Sequence, residues 1–143
     1  MSRIIYTKSD GTVSVITPAG DVNDAIKDVP SGLSYEIVED SAIPTDRSFR
    51  NAWKQNSKTI ETDMTKAKEI HKTNIRTARV PKLAELDIEF QRALETSADT
   101  TAIVAKKQAL RDAPSNSAID SATTETELKS QWNTSILGAS PYS

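Results

Sequence analysis

At 143 residues the chain has room for one modest domain or for two small pieces, and with 36% hydrophobic, 27% charged and 5% aromatic residues it has little core to spare. It contains no cysteine, which excludes disulfides, zinc ribbons and thiol nucleophiles. The formal net charge of -2 is unevenly placed: residues 1–45 hold three basic and seven acidic side chains, residues 46–112 fourteen and ten, and residues 113–143 one and three.

The first 44 residues read as a small β-rich module. Arg3 to Thr7 alternates weakly, Ser9-Asp10-Gly11 is turn chemistry, and Val13 and Val15 alternate with Thr12 and Ser14, which predicts a hairpin. Asp21 is a good N-cap for a short amphipathic helix with Val22, Ala25, Ile26 and Val29 on its apolar side, and Pro30 ends it. Leu33, Tyr35 and Ile37 alternate as a third strand. A lone hairpin is marginal in water, so three strands with one helix across them form the smallest sensible unit.

The period changes after Ser41-Ala42-Ile43-Pro44, and residues 45–114 read as a helical segment. Thr45-Asp46 caps a helix over about 46–54 with Phe49, Ala52 and Trp53 on one face. A longer helix is expected over 63–96, since Met64, Ala67, His71, Ile75 and Ala78 fall on a 3,4,4,3 spacing. Pro81 either opens a new helix there or kinks a continuous one, and Leu83, Leu86, Phe90, Ala93 and Leu94 continue an apolar stripe beyond it. Ser97 to Thr100 breaks the rod and caps a helix over 100–112, where Ile103, Val104 and Leu110, joined by the stem of Lys107, make a thin apolar face that folds back antiparallel. Residues 115–143 are a Ser/Thr-rich tail with one short helix near 125–132, signalled by the capping box Thr124 to Glu127, and extended or mobile chain beyond Trp132. The expected fold class is α+β: a small N-terminal antiparallel β module with one short helix, then a helical hairpin or rod, then a poorly ordered C-terminal tail.

Little in the chain suggests catalysis. His71 is the only histidine and sits on the apolar edge of a helix without convergent partners, so it reads as packing rather than as a ligand or base. Glu85, Asp87 and Glu89 are two residues apart and point in different directions on a helix, which suits a solvated face and not a paired acid and base. There is no GxGxxG, Walker loop, GxSxG or HExxH, and four glycines are few for a phosphate cradle. Asn133-Thr134-Ser135 matches a glycosylation acceptor, but so short a pattern arises by chance, and with no apolar run in MSRIIYTKSDG no signal peptide is expected. No catalytic residues, metal ligands or cofactor are expected, and no window approaches the roughly 18 apolar residues of a membrane span.

Two features are sharper. Between Arg47 and Lys82 there are ten basic residues against three acidic ones, and Lys68, Lys72, Arg76 and Arg79 line one helix face. Such a face can track phosphates, but the absence of aromatics among the charges and the acidic stretch that follows favour a solvated or ion-paired face over nucleic acid. Phe49 and Trp53 are the second feature, flanked by Arg47 and Arg50. Large rings in a chain this poor in them suit the core between the β piece and the rod, and alternatively a partner hot spot.

The run IPTDRSFRNAW, followed by DMTKAKEIHKTNIRTAR, LAELDIEFQRALE and IVAKKQALRDAP, resembles a family of small tailed-bacteriophage proteins encoded beside tail fibre genes and described as tail fibre assembly chaperones or virion-associated proteins. The similarity covers about residues 41–114. Asp46, Arg47, Phe49, Arg50, Ala52 and Trp53 fill its first motif, and Lys66, Ile70, His71, Ile75 and Arg76 its second. What the resemblance implies is a non-enzymatic tail protein that binds a tail fibre or another tail protein, placed in the virion or, during assembly, in the host cytoplasm. Leu83, Leu86, Phe90, Leu94 and Leu110, with Phe49 and Trp53, form more apolar surface than thin helices hide, so Phe49, Arg50, Trp53, Leu83, Leu86 and Phe90 are the expected partner contacts. A homo-oligomer is also expected, and a trimer would match the symmetry of a trimeric fibre. The alternatives are a nucleic-acid-binding accessory protein using the face Lys68, Lys72, Arg76 and Arg79, and another structural protein of the virion.

Overall fold

A computed structural model describes residues 1–142, and the fold is mixed α+β, with antiparallel strands first, then a long helix and shorter helices. The chain divides into two compact units, Met1–Ala67 and the part from Lys68 onward. The first unit therefore extends past residue 44, the boundary expected from the change of period.

In the first unit β1 (Ser2–Thr7) is the centre of a three-stranded antiparallel sheet, between β2 (Val13–Ile16) and β3 (Tyr35–Glu39). Ile4 faces Ile16 on one side and Ile37 on the other. The alternation along β1 is weak for a physical reason. Ile4, Ile5 and Tyr6 are buried in succession, and successive strand residues point to opposite faces, so both faces of β1 are covered. The 3-10 helix Val22–Asp28 and the strand β4 (Trp53–Asn56) both pack against β1. The first hairpin closes through Gly11, whose φ of +86° suits a residue without Cβ, and the Asp10 carboxylate accepts from the amide of Thr12 at 2.9 Å.

Residues 46–62 differ from the expected helix. The Asp46 carboxylate does accept from the amide of Ser48 at 2.9 Å, but only the single 3-10 turn Arg50–Ala52 follows before Trp53 enters extended backbone. β4 then pairs antiparallel with β5 (Thr59–Thr62), Trp53 opposite Thr62 and Asn56 opposite Thr59. The competing signal is the run Thr59-Ile60-Glu61-Thr62, rich in β-branched residues, which offers the stretch from Trp53 a ladder partner. Ser57 takes the left-handed conformation at the turn.

The second unit is built on α1 (Met64–Glu95), whose N-terminus lies in the first unit. Asp63 caps it, accepting from the amides of Thr65 and Lys66. The helix runs uninterrupted through Pro81. Pro81 and Thr77, the residue whose carbonyl loses its donor, are both exposed, so water can satisfy that carbonyl. Ser97 in the left-handed region, with the amide of Ala98 bonded to the carbonyl of Ala93, ends the helix. The Asp99 carboxylate then takes the amide and hydroxyl of Thr101, which start α2 (Thr101–Asp112) and hold that carboxyl below its ordinary pKa. Lys107 of α2 pairs with Asp87 of α1 and lies over the Phe90 ring, while Arg79 donates to the carbonyls of Leu110 and Arg111. Later residues of α2 thus meet earlier residues of α1, which is an antiparallel helical hairpin.

Residues 115–142 are not an extended tail. A 3-10 turn with buried Pro114 leads into α3 (Ser117–Ser121), α4 (Glu125–Lys129) and α5 (Thr134–Leu137), capped by Asn116, Thr124 and Asn133. In the capping box the Glu127 amide donates to the Thr124 hydroxyl while the Glu127 carboxylate accepts from the amide and hydroxyl of Thr123, one residue further back. Ile119, Ala122, Leu128, Trp132 and Leu137 are buried. Helices this short do not persist alone, so burial of these side chains is what keeps the segment helical.

Candidate interaction surface

The side of α1 that turns inward in the second unit carries His71, Ile75, Leu86 and Ala93, all buried. At about 100° per residue, Val80, Ala84, Ile88, Gln91 and Leu94 fall within an arc of roughly 120° on the opposite side. Val80 is 64%, Ile88 53% and Leu94 54% exposed, and Val104 on α2 is 47% exposed. Solitary exposed apolar residues are ordinary; here three large ones are aligned along one helix.

This is not the surface expected from the sequence. Phe49 and Trp53 are 1% and 2% exposed and belong to the interior, and Leu86 is buried as well. As partner contacts these three are corrected to core positions: the rings fill the space beside a 3-10 turn and a strand, and Leu86 lies on the inward side of α1. Leu83 and Phe90 are half-buried, the latter under Lys107, and Arg50 alone of the six is exposed. Val80 and Ile88 were missed because they lie off the Leu83, Leu86 and Phe90 stripe; their common spacing with Ala84 of four residues was the available signal.

Three members of the basic face have internal partners. Lys68 Nζ donates to the carbonyl of Asp120 at 2.7 Å, Lys72 pairs with the Asp120 carboxylate at 3.0 Å, and Arg79 holds the end of α2. Arg76 is exposed. The acidic partner of Lys72 lies in α3, not in the acidic stretch that follows the basic residues in the sequence.

His71 is fully buried, with ring nitrogens 2.6 Å from the Tyr142 hydroxyl and 3.0 Å from the carbonyl of Gln131. Its ring stacks on Tyr142 and meets Trp132 edge-on. Burial pushes its pKa below the ordinary histidine range, against a smaller upward effect of the Gln131 carbonyl, and burial raises that of Tyr142. A cleft of about 310 Å³ beside this cluster is lined by Ile75, Trp132 and Leu137 with Asp112, Asn116 and Gln131. Asp112 there accepts from Gln108. Among the described residues no group of three His, Cys, Asp or Glu side chains is placed to hold a metal ion, and no helix is long and apolar enough to cross a membrane.

Comparison of the chain with protein-family models, with curated proteins and with solved structures finds no match in any of the three.

Proposed function

We propose that this chain is a non-enzymatic protein of a bacteriophage tail, which binds the tail fibre and assists its assembly or stays attached to it. The observation that supports the reading is the aligned exposed band of Val80, Ile88 and Leu94 on α1, with Val104 on α2, inside the stretch whose sequence resembles proteins encoded beside tail fibre genes. Apolar area of this kind is what a protein partner covers. The contact set accordingly moves outward, from Leu83, Leu86 and Phe90 to Val80, Ile88 and Leu94. A nucleic-acid role has weaker support, because Lys68, Lys72 and Arg79 already hold groups of their own chain.

The test is co-expression with the fibre protein encoded beside it, followed by size-exclusion chromatography with light scattering at two salt concentrations. The expected result is a complex containing more than one copy of this chain that persists from about 50 to 200 mM salt, a range over which phosphate-borne binding weakens steeply. A folded monomer that never co-migrates with the fibre, or tight salt-sensitive binding to DNA, would overturn the reading.

A further inference from the structure

The segment from Asn116 to Tyr142 is attached to α1 at several polar points besides the apolar side chains it buries. Its helices have five, five and four residues, below the length at which a helix persists alone. Lys68 and Lys72 hold Asp120 near its start. Asn74 donates to the Tyr142 hydroxyl at 3.2 Å near its end. Between them His71 binds the segment twice, at Gln131 and at Tyr142.

The bonding pattern assigns the tautomer of the neutral imidazole. The Gln131 carbonyl can only accept, so Nε2 carries the proton and Nδ1 accepts from the Tyr142 hydroxyl, as a neutral ring requires. We infer that residues 116–142 form a strap closed on α1 by neutral His71 and released when that imidazole takes up a second proton.

Protonation acts against the closed state in two ways. The ring is 0% exposed, and a buried charge loses its hydration. Nδ1 can no longer accept from Tyr142, so that hydrogen bond must be reversed. The charged groups on the surrounding elements are Lys68, Glu69 and Lys72 of α1, Asp112 of α2, Asp120 of α3, and Glu125, Glu127 and Lys129 of α4, three positive against five negative, so what opposes protonation is desolvation and the reversed hydrogen bond and not a repelling field.

The direction in pH follows. His71 in the closed strap resists protonation, whereas in the released strap it titrates near the ordinary value of about 6.5. The released form therefore binds more protons in acid. The contribution of His71 to closure is fully present above about pH 7 and is lost progressively as pH falls below about 6.5. For a single linked proton, the closed-to-open ratio falls by up to about twentyfold between pH 7 and pH 5. Release uncovers Ile119, Leu128, Trp132 and Leu137, now buried, as apolar surface for a partner.

Amide hydrogen exchange on the full chain, corrected for the intrinsic pH dependence of exchange, measures closure directly. Protection over residues 117–142 is expected to fall from pH 7 to pH 5, by at most about twentyfold, while the middle of α1 keeps its protection, and His71→Gln is expected to remove the pH response. Constant protection of the strap in the wild type, or the same loss in His71→Gln, overturns the inference. Should His71→Gln fail to fold, Tyr142→Phe decides. It removes the hydroxyl that donates to Nδ1, so the single imidazole resonance and the loss of protection must both shift to higher pH; midpoints that stay in place also overturn it.

Discussion

Trp53 is the side chain whose truncation is most informative about the first unit. It is 2% exposed, and its indole N–H has no acceptor among the described residues. Replacing a buried tryptophan by alanine costs about 3–5 kcal/mol. A unit spanning Met1–Ala67, at about 0.05–0.15 kcal/mol per residue, has only about 3–10 kcal/mol in total. Trp53→Ala should therefore bring the first unit close to unfolding. Trp53→Phe should behave differently. It loses about 1–2 kcal/mol of apolar burial but removes a buried unpaired donor that costs about 1–3 kcal/mol, so the net change should lie between a loss of about 1 kcal/mol and a gain of about 2 kcal/mol. Fluorescence is a poor assay, because the remaining tryptophan, Trp132, reports the other unit. Urea unfolding by circular dichroism, with amide exchange of Ile4 and Ile5 as the local readout, separates the two. A loss below about 1 kcal/mol in Trp53→Ala would refute the placement of this ring in the core, and a loss above about 3 kcal/mol in Trp53→Phe would show that the indole N–H is bonded after all.

Two further outcomes follow from the helical part. Pro81 lies inside α1 and is exposed, so Pro81→Ala should raise stability by about 1–3 kcal/mol, read as a higher urea midpoint; no gain would mean that the helix is interrupted there. The Lys72 and Asp120 ion pair has one side chain 18% and the other 63% exposed, so a double-mutant cycle should give a coupling of no more than about 1 kcal/mol. A coupling above about 2 kcal/mol would make it a principal fastener of the strap.

The elements legible in the sequence are those whose signals are local. Asp10-Gly11 marks the first hairpin, Asp63 and Asp99 cap α1 and α2, and the 3.6-residue period of α1 survives Pro81 because the proline faces solvent. Where the sequence misled, the deciding partner was distant or ambiguous. Phe49 and Trp53 are spaced as on a helix, yet Trp53 starts a strand because a hairpin partner follows it. Residues 115–142 read as a Ser/Thr-rich tail with one short helix, and the partners that hold and bury the rest of it are distant in sequence, as His71 is from Tyr142 across 71 residues. The spacing of Lys68, Lys72 and Arg79 shows that they share a face, but it cannot show that Asp120 and the end of α2 occupy it. The same oversight inflated the apolar area assigned to a partner, since Leu86 and Leu110 are covered within the chain.

The central claim is that a tail partner sits on the exposed side of α1. Ile88→Asp with Leu94→Asp tests it most directly, because both positions are more than half exposed and surface substitutions away from special features change stability by only about 0.5 kcal/mol. Light scattering of the co-expressed fibre protein with the wild type and with this variant is the measurement. The account predicts a complex with the wild type and none with a variant that remains folded; equal co-migration of the two would contradict it.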